Sequence, residues 1–203
     1  MPEWIRQLDT ALFFLLNLNC RNVLLDVAMP FITNRWYLTA LPFLIFFLLK
    51  EKRDKKLNNA LLIFAVTFFS ILFSDGLANV IKHLIGRERP CNALENVHLL
   101  VGCTTSFSMP SNHAANAFAF ATSFLIMTGS RIRHVFLFIA LLVAFSRIYV
   151  GVHYPSDVIA GAITGSASAI SLIYLYLWAK RRSADKPHTT LLFVFLAAIS
   201  VFR

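Results

Sequence analysis

The chain has 203 residues, of which 58% are hydrophobic and only 14% are charged, and its formal net charge is +9. A soluble domain normally carries about 25% charged residues, so the composition argues against a soluble protein and favours several membrane-spanning helices. A basic excess in a soluble protein would indicate nucleic-acid binding. Here the basic residues cluster in short runs between apolar segments, which is typical of membrane topology signals.

Apolar segments predict the helices in chain order. Residues 1–33 are mostly apolar but are interrupted by Arg21 and Asp26, so they form either a first span or a helix lying at the membrane interface. Further spans are expected at residues 36–50, 58–83, 113–130, 134–150, 157–179 and, more briefly, 191–202. The predicted fold is therefore all-α, a single integral-membrane domain over residues 1–203 with about six transmembrane helices.

The loops between these segments differ in charge. Residues 50–56, 131–134 and 180–186 are rich in Lys and Arg, and they fall on the same side of the membrane when the spans are counted. The positive-inside rule places that side in the cytoplasm. Loops 84–112 and 151–156 then face outward.

The outward ends of the predicted spans carry side chains that suit phosphate chemistry. Arginine offers a planar fork that matches phosphate oxygens, lysine adds a point charge, and a helix starting near Ser111 presents free backbone N–H groups. Two histidines add proton and nucleophile chemistry near neutral pH. The set comprises Lys82, Arg87, Arg89, Ser111, His113, Arg147, His153 and Asp157.

The spacing of His153 and Asp157 indicates phosphoryl transfer without a metal ion or other cofactor. Asp157 lies four residues after His153, where it could hold one imidazole nitrogen protonated and leave the other free to attack. Metal-dependent phosphatases need clustered carboxylates, whereas the outward acids Glu88, Glu95 and Asp157 are spread over two loops. These residues leave open which histidine, His113 or His153, is the nucleophile.

Three stretches together resemble the signature of the type 2 phosphatidic acid phosphatase superfamily, the lipid phosphate phosphatases. In the segment 82–90, KHLIGRERP, a lysine is followed by six residues and then Arg-Pro. The segment 110–113 reads PSNH, and the segment 146–157, SRIYVGVHYPSD, has Ser-Arg, five residues, His, three residues and Asp. All three occur in the family's order and at its spacing. The flanking spans also resemble the family's six-helix plan.

The resemblance implies a role for each matched residue. His153 would attack phosphorus and form a phosphohistidine, Asp157 would orient it, and His113 would protonate the leaving oxygen. The phosphoryl oxygens would be held by Lys82, Arg89, Ser111, Asn112 and Arg147.

Asn112 departs from the family pattern, which has glycine at this position. Glycine would permit a positive φ and a close approach of the backbone to phosphate. Asparagine is the residue that best tolerates left-handed φ after glycine, and its backbone N–H remains available. We therefore expect activity to survive the change.

The implied function is metal-independent dephosphorylation of a lipid phosphate or diphosphate at the outer leaflet of a bacterial inner membrane. The expected partners are the bilayer and its lipid phosphates, not nucleic acid. We expect undecaprenyl diphosphate as the substrate, with phosphatidylglycerophosphate and lipid A phosphate as alternatives. Phosphotransfer to a lipid acceptor stays open. An anion or lipid transporter is the rival of another class, although the inverted repeats and broken spans typical of transporters are not visible.

Five further residues carry expectations about structure. Asp75 shares a helix face with Lys82, so it either joins two helices or supports Lys82. Cys91 and Cys103 lie in an outward loop, where an oxidising environment would favour a disulfide. Cys20 is expected to be a packed apolar residue. Arg87 matches no fixed family position, and whether it touches substrate is left open.

Overall fold

Long helices of low polarity form most of the structure. The computed structural model describes residues 2–33, 55–128 and 131–182, and this part of the chain is helical with no strand. The elements are α1 (Glu3–Phe14), a π-helical segment (Leu15–Asn19), α2 (Val23–Thr33), α3 (Lys55–Ile85), α4 (Pro90–Ala93), α5 (Asn112–Met127), α6 (Ile132–Tyr149) and α7 (Pro155–Arg182).

The helices α3, α5, α6 and α7 match the predicted segments 58–83, 113–130, 134–150 and 157–179 to within a few residues at each end. The all-α prediction is confirmed for the described part of the chain. The predicted segments 36–50 and 191–202 lie outside the described residues.

Within the described residues, two stretches, Leu61–Ala93 and Pro155–Arg182, are long and apolar enough to cross a membrane. The bent pair Glu3–Asn19 and Val23–Thr33 would add a third if it counts as one span. By comparison, α5 has 16 residues, a length of about 24 Å, which is shorter than the hydrocarbon core of a bilayer. The prediction of about six spans therefore stays a prediction.

The described N-terminal residues, 2–33, form two helices rather than one. The axes of the two halves are bent by 117° at a break that contains Arg21. Asn22 starts the second half, because its side-chain oxygen accepts a hydrogen bond from the Leu24 N–H at 2.8 Å, as in a helix N-cap. Cys20 lies at this break and is exposed, so the expectation of a packed Cys20 is wrong.

The helix α5 lies at the centre and packs against α3, α6 and α7. Its contact with α7 is close because small residues meet there, a feature typical of helix pairs in membranes. A Cβ atom at Gly161 would lie 2.5 Å from the Ser111 carbonyl oxygen, and one at Gly165 would overlap the Ala115 carbonyl oxygen. These two glycines let the backbones of α5 and α7 touch.

The ends of four helices meet at one end of the bundle. The Ser111 N–H donates to the Asp157 carbonyl oxygen at 2.9 Å, which joins the start of α5 to the start of α7. The His153 N–H donates to the Arg147 carbonyl oxygen at 3.2 Å across the α6–α7 turn. That turn requires Gly151, which has a φ of +86° and whose missing Cβ would lie 2.9 Å from the His98 carbonyl oxygen.

We predict that Gly165→Ala lowers the free energy of unfolding by about 2 kcal/mol or more, because the added methyl group forces α5 and α7 apart. The measurement is the midpoint of thermal unfolding of the detergent-purified protein. Gly102→Ala is the matched control, since a Cβ atom there has nothing within 4 Å. Equal midpoints for the two variants would contradict the role of the close contact.

Candidate active site

Three cations from three segments are buried at the end of the bundle where the helices meet. The exposed fractions are 6% for Lys82, 6% for Arg89 and 8% for Arg147. Burial of this much charge is costly unless each cation has polar partners. The arrangement therefore suits an anion that several cations share.

Arg89 is fixed in place by the loop before α5. Its Nε donates to the Ser106 carbonyl oxygen at 2.8 Å, and its Nη2 donates to the Ser106 hydroxyl at 3.0 Å. Its Nη1 donates to the Val152 carbonyl oxygen at 3.1 Å and lies 3.0 Å from Nε2 of His153. The Arg89 guanidinium thus contacts the imidazole of His153 through Nη1.

The partners of His153 define its tautomer. Arginine has no acceptor, so the Nε2 atom that faces Arg89 must carry the lone pair. The proton then sits on Nδ1, which lies 3.5 Å from Oδ2 of Asp157 and 3.5 Å from the Ser108 hydroxyl. This tautomer is assigned from the partners of the ring, and its Nε2 lone pair accepts from Nη1 of Arg89.

His153 is almost fully buried, and its surroundings disfavour the imidazolium. Burial lowers the pKa of His153 well below its usual value, and the positive charges of Arg147, Arg89 and Lys82 lower it further. The ring is therefore neutral at pH 7, which is the form a nucleophile or a general base needs.

Asp157 is completely buried and both of its carboxylate oxygens have partners. Oδ2 accepts from the Tyr154 N–H at 2.8 Å and, through a short hydrogen bond, from the Ser108 hydroxyl. Oδ1 accepts from Nη1 of Arg87 at 2.9 Å. The carboxylate is therefore held in one orientation beside Nδ1 of His153.

Lys82 takes an unexpected set of partners. Its ammonium donates to the carbonyl oxygens of Phe107, Ser108 and Pro110 at 2.9, 3.2 and 2.6 Å. Lys82 thus shapes the loop that leads into α5 while its positive charge stays inside the site. Its predicted contact with phosphoryl oxygens stays a prediction.

The start of α5 brings two more predicted residues to the site. Ser111 is completely buried, and its hydroxyl has no hydrogen-bond partner within the part of the chain that the structure describes. An orphaned buried hydroxyl at a helix N-terminus suits an anion oxygen. His113 lies in the first turn of the same helix.

Asn112 turns its side chain away from the site. Its amide donates to Asp75 and to Asn79 of α3, each at 2.9 Å, and Asn116 also donates to Asp75 at 3.0 Å. Asn112 begins α5, and Asn96 is the single non-glycine residue with a positive φ in the described ranges. Asn112 therefore does not use the positive φ that a glycine would permit, and Asp75 joins two helices.

Sequence reasoning missed Ser108 and left the role of Arg87 open. Ser108 is completely buried and touches both His153 and Asp157, but it belongs to no spacing pattern. Arg147 also has an unforeseen partner, because its Nη1 donates to the Thr33 hydroxyl at 2.5 Å. No signal in the sequence links these distant positions.

Cys91 and Cys103 form a disulfide, with 6.2 Å between their Cα atoms. It confirms the predicted pairing. The bond closes the loop between Cys91 and Cys103. Arg89 lies two residues before this loop and its partner Ser106 three residues after it, so the disulfide holds their two segments together.

Comparison with known proteins points to one family. Residues 61–182 match the sequence profile of the PAP2 superfamily. The crystal structure of LpxE from Aquifex aeolicus is similar with a TM-score of 0.68 and 30% identity, over 81% of this chain and 93% of that one.

Two curated proteins show similar levels of identity over shorter lengths. The lipid A 1-phosphatase of Rhizobium johnstonii is 37% identical over 50% of this chain and 43% of its own length. The undecaprenyl-diphosphatase of Sulfolobus acidocaldarius is 35% identical over 59% of this chain and 55% of its own length. This chain thus spans about half the length of these curated relatives.

We predict that Cys91→Ser lowers the free energy of unfolding by up to about 3 kcal/mol, because a loop with a sequence separation of 12 is no longer closed in the unfolded state. Thermal unfolding in detergent, with and without a phosphine reductant, measures the effect. Cys20→Ser is the control, since Cys20 is free and exposed. A reductant effect of the same size in Cys91→Ser and in the unmodified protein would refute the prediction.

Proposed function

Because this chain belongs to the PAP2 superfamily, we propose that it is an enzyme that removes phosphate from a membrane lipid phosphate or diphosphate without a metal ion. The observation that carries the proposal is the state of His153. Its Nε2 lone pair faces Arg89, and its Nδ1 faces Asp157 and Ser108. A neutral, oriented imidazole beside buried cations is what in-line attack on phosphorus requires.

In the first step, Nε2 of His153 attacks phosphorus while the bond from phosphorus to the lipid oxygen breaks. His113 gives its proton to the leaving oxygen, so the lipid departs as a neutral alcohol or as a monophosphate. The ring of His153 becomes positively charged, and Asp157 stabilises this charge through the Nδ1 proton. The cations Arg89, Arg147 and Lys82 balance the phosphoryl charge, with Ser111 and the Asn112 N–H at the start of α5 as further donors.

In the second step, water attacks the phosphohistidine. His113, now neutral, takes a proton from the water, the bond from nitrogen to phosphorus breaks, and inorganic phosphate leaves. His153 returns to its neutral form. Both histidines end in the protonation states in which they began, so the cycle is balanced.

The position of the site supports a substrate that stays in the bilayer. The site lies at the ends of apolar helices, so a lipid tail can remain in hydrocarbon while its head group enters. We place this end on the outer, periplasmic face of a bacterial inner membrane, in a single domain of about six spans. The opposite end carries Arg131, Arg133 and the basic end of α7, and the Cys91–Cys103 disulfide favours an oxidising side.

Undecaprenyl diphosphate is the first substrate candidate, because an outward-facing site fits recycling of such a carrier and a relative is an undecaprenyl-diphosphatase. A lipid A phosphate is the second, because another relative is a lipid A 1-phosphatase. Both have a phosphate at the membrane surface and a tail in the bilayer. The site geometry described above serves either one.

The decisive experiment is phosphate release by the detergent-purified protein in excess EDTA, with undecaprenyl diphosphate, lipid A, phosphatidylglycerophosphate and phosphatidic acid. We expect EDTA-resistant release that falls by more than about 1,000-fold in His153→Ala, because the nucleophile is lost. His134→Ala is the matched control, since His134 is exposed at the opposite end of the bundle.

The outcomes separate the rival functions. Transfer of labelled phosphate to a lipid acceptor in place of release would favour phosphotransfer. Absence of both reactions with every lipid would overturn the enzyme proposal and leave transport as the better hypothesis.

The pH dependence provides a second prediction. His153 attacks only when neutral, and its lowered pKa keeps it neutral well below pH 6.5, so its protonation limits activity only in more acidic solution. Arg147→Gln removes the largest charge effect on this pKa, so the acid limb of kcat/KM should move to higher pH. Substrate titration is common to both proteins and cancels in the comparison.

Arg131→Gln is the control for this measurement, because Arg131 is exposed at the far end of the bundle. An acid limb that stays in place or moves to lower pH in Arg147→Gln would contradict the electrostatic role given to Arg147.

A further inference from the structure

Arg87 lies between two buried carboxylates that come from opposite ends of the sequence. Its Nη1 donates to Oδ1 of Asp157 at 2.9 Å, and its Nη2 donates to Oδ2 of Asp9 at 2.7 Å. The exposed fractions of the side chains are 15% for Arg87, 5% for Asp9 and 0% for Asp157. Charge-assisted hydrogen bonds in such a poorly solvated place are strong and directional.

Two further contacts fix the guanidinium. Nη1 also donates to the Ser156 hydroxyl at 2.7 Å, and the carbon Cζ lies 3.8 Å from the centre of the Tyr154 ring. The planar fork of arginine can meet two acids and stack on an aromatic face at the same time, which lysine cannot do. Arg87 therefore has one orientation.

Asp9 belongs to α1, far from the signature segments in the sequence. It accepts from the Ser156 N–H at 2.9 Å and from the Ser156 hydroxyl at 2.5 Å. The Ser156 N–H is in the first turn of α7, where backbone N–H groups have no acceptor within the helix. The carboxylate of Asp9, from another helix, is the acceptor of this N–H and places a negative charge at the helix N-terminus. Asp9 thus fixes both Arg87 and the turn of α7 that carries Asp157.

From this geometry we propose that Arg87, held from behind by Asp9, is a positioning residue for the reaction. It acts through Asp157 and does not touch the phosphoryl group. With Oδ1 bound to Arg87, the Asp157 carboxylate turns Oδ2 toward Nδ1 of His153. Helix α1 thereby becomes part of the active site. The inference rests on the proposed phosphatase function.

The test is a double-mutant cycle with the lipid substrate that the unmodified protein hydrolyses best. Arg87→Gln should lower kcat about 10-fold, the loss typical when the partner that orients a reactive histidine is disturbed. KM should stay within about 2-fold, because a residue that acts only on the chemical step leaves substrate binding unchanged. In the Asp157→Asn background, the same substitution should change kcat by less than about 2-fold, because coupled residues are not additive.

Three variants sharpen the test. Asp9→Asn can still accept from the Ser156 N–H through its amide oxygen, but it loses the negative charge that faces Arg87. It should therefore lower kcat and have little effect once Arg87 is Gln. Arg87→Lys should recover part of the activity. Asp26→Asn is the matched control, because Asp26 also ties the N-terminal helices to the bundle, through Tyr149 and His98, but does not contact Arg87 or Asp157 in the described residues.

The possible outcomes of these experiments separate a positioning role from direct substrate contact and from a folding effect. Additive losses for Arg87→Gln and Asp157→Asn, or a KM raised about 10-fold or more, would overturn positioning and indicate direct substrate contact. A loss in Asp26→Asn equal to that in Asp9→Asn would show a general folding effect and would also overturn it. Absence of activity in the unmodified protein would instead refute the proposed function. If Asp157→Asn is too slow to measure, the cycle of Asp9→Asn with Arg87→Gln and the effect on KM decide.

Discussion

The close contact between α5 and α7 is the constraint on which the site depends. Gly161 and Gly165 let the two backbones touch, and the first of them faces the carbonyl oxygen of Ser111. At that distance the Ser111 N–H can reach the Asp157 carbonyl oxygen. In a bilayer no hydrophobic effect drives helices together, so close packing of small residues and interhelical hydrogen bonds must do so. The contact that holds the bundle also sets the start of α5 against the start of α7.

Burial of the cations follows from that packing. A charged side chain that is excluded from water needs polar partners within the protein. Here the partners are carbonyl oxygens of irregular loops, such as that of Pro110 for Lys82 and that of Ser106 for Arg89. The loops at this end are therefore ordered by the cations that they surround. The same cations lower the pKa of His153, so one feature both concentrates positive charge and favours the neutral form of the imidazole beside it.

The sequence predicted the parts of this arrangement that have a local signal. Continuous apolar runs located α3, α5, α6 and α7, and the spacing of the three signature segments placed Arg89, His153 and Asp157 at one end of the bundle. It did not predict Ser108, because a serine in a loop has no periodicity that marks it. It also missed the role of Asn112, because a helical start at that position makes a left-handed φ unnecessary and turns the side chain toward Asp75.

The N-terminal helices show most clearly that a local sequence pattern does not predict long-range contacts. Residues 1–33 fit both a span and an interfacial helix, since their polar residues break the apolar pattern without explaining the break. In the fold, two polar residues of this segment face the bundle: Asn17 bonds to the carbonyl oxygens of His98 and Tyr149, and Thr33 accepts from Arg147. Each contact joins residues more than 80 positions apart, so only the folded chain brings them together. Asn17 and Thr33 thus mark where the N-terminal helices bind the bundle end that holds the candidate site.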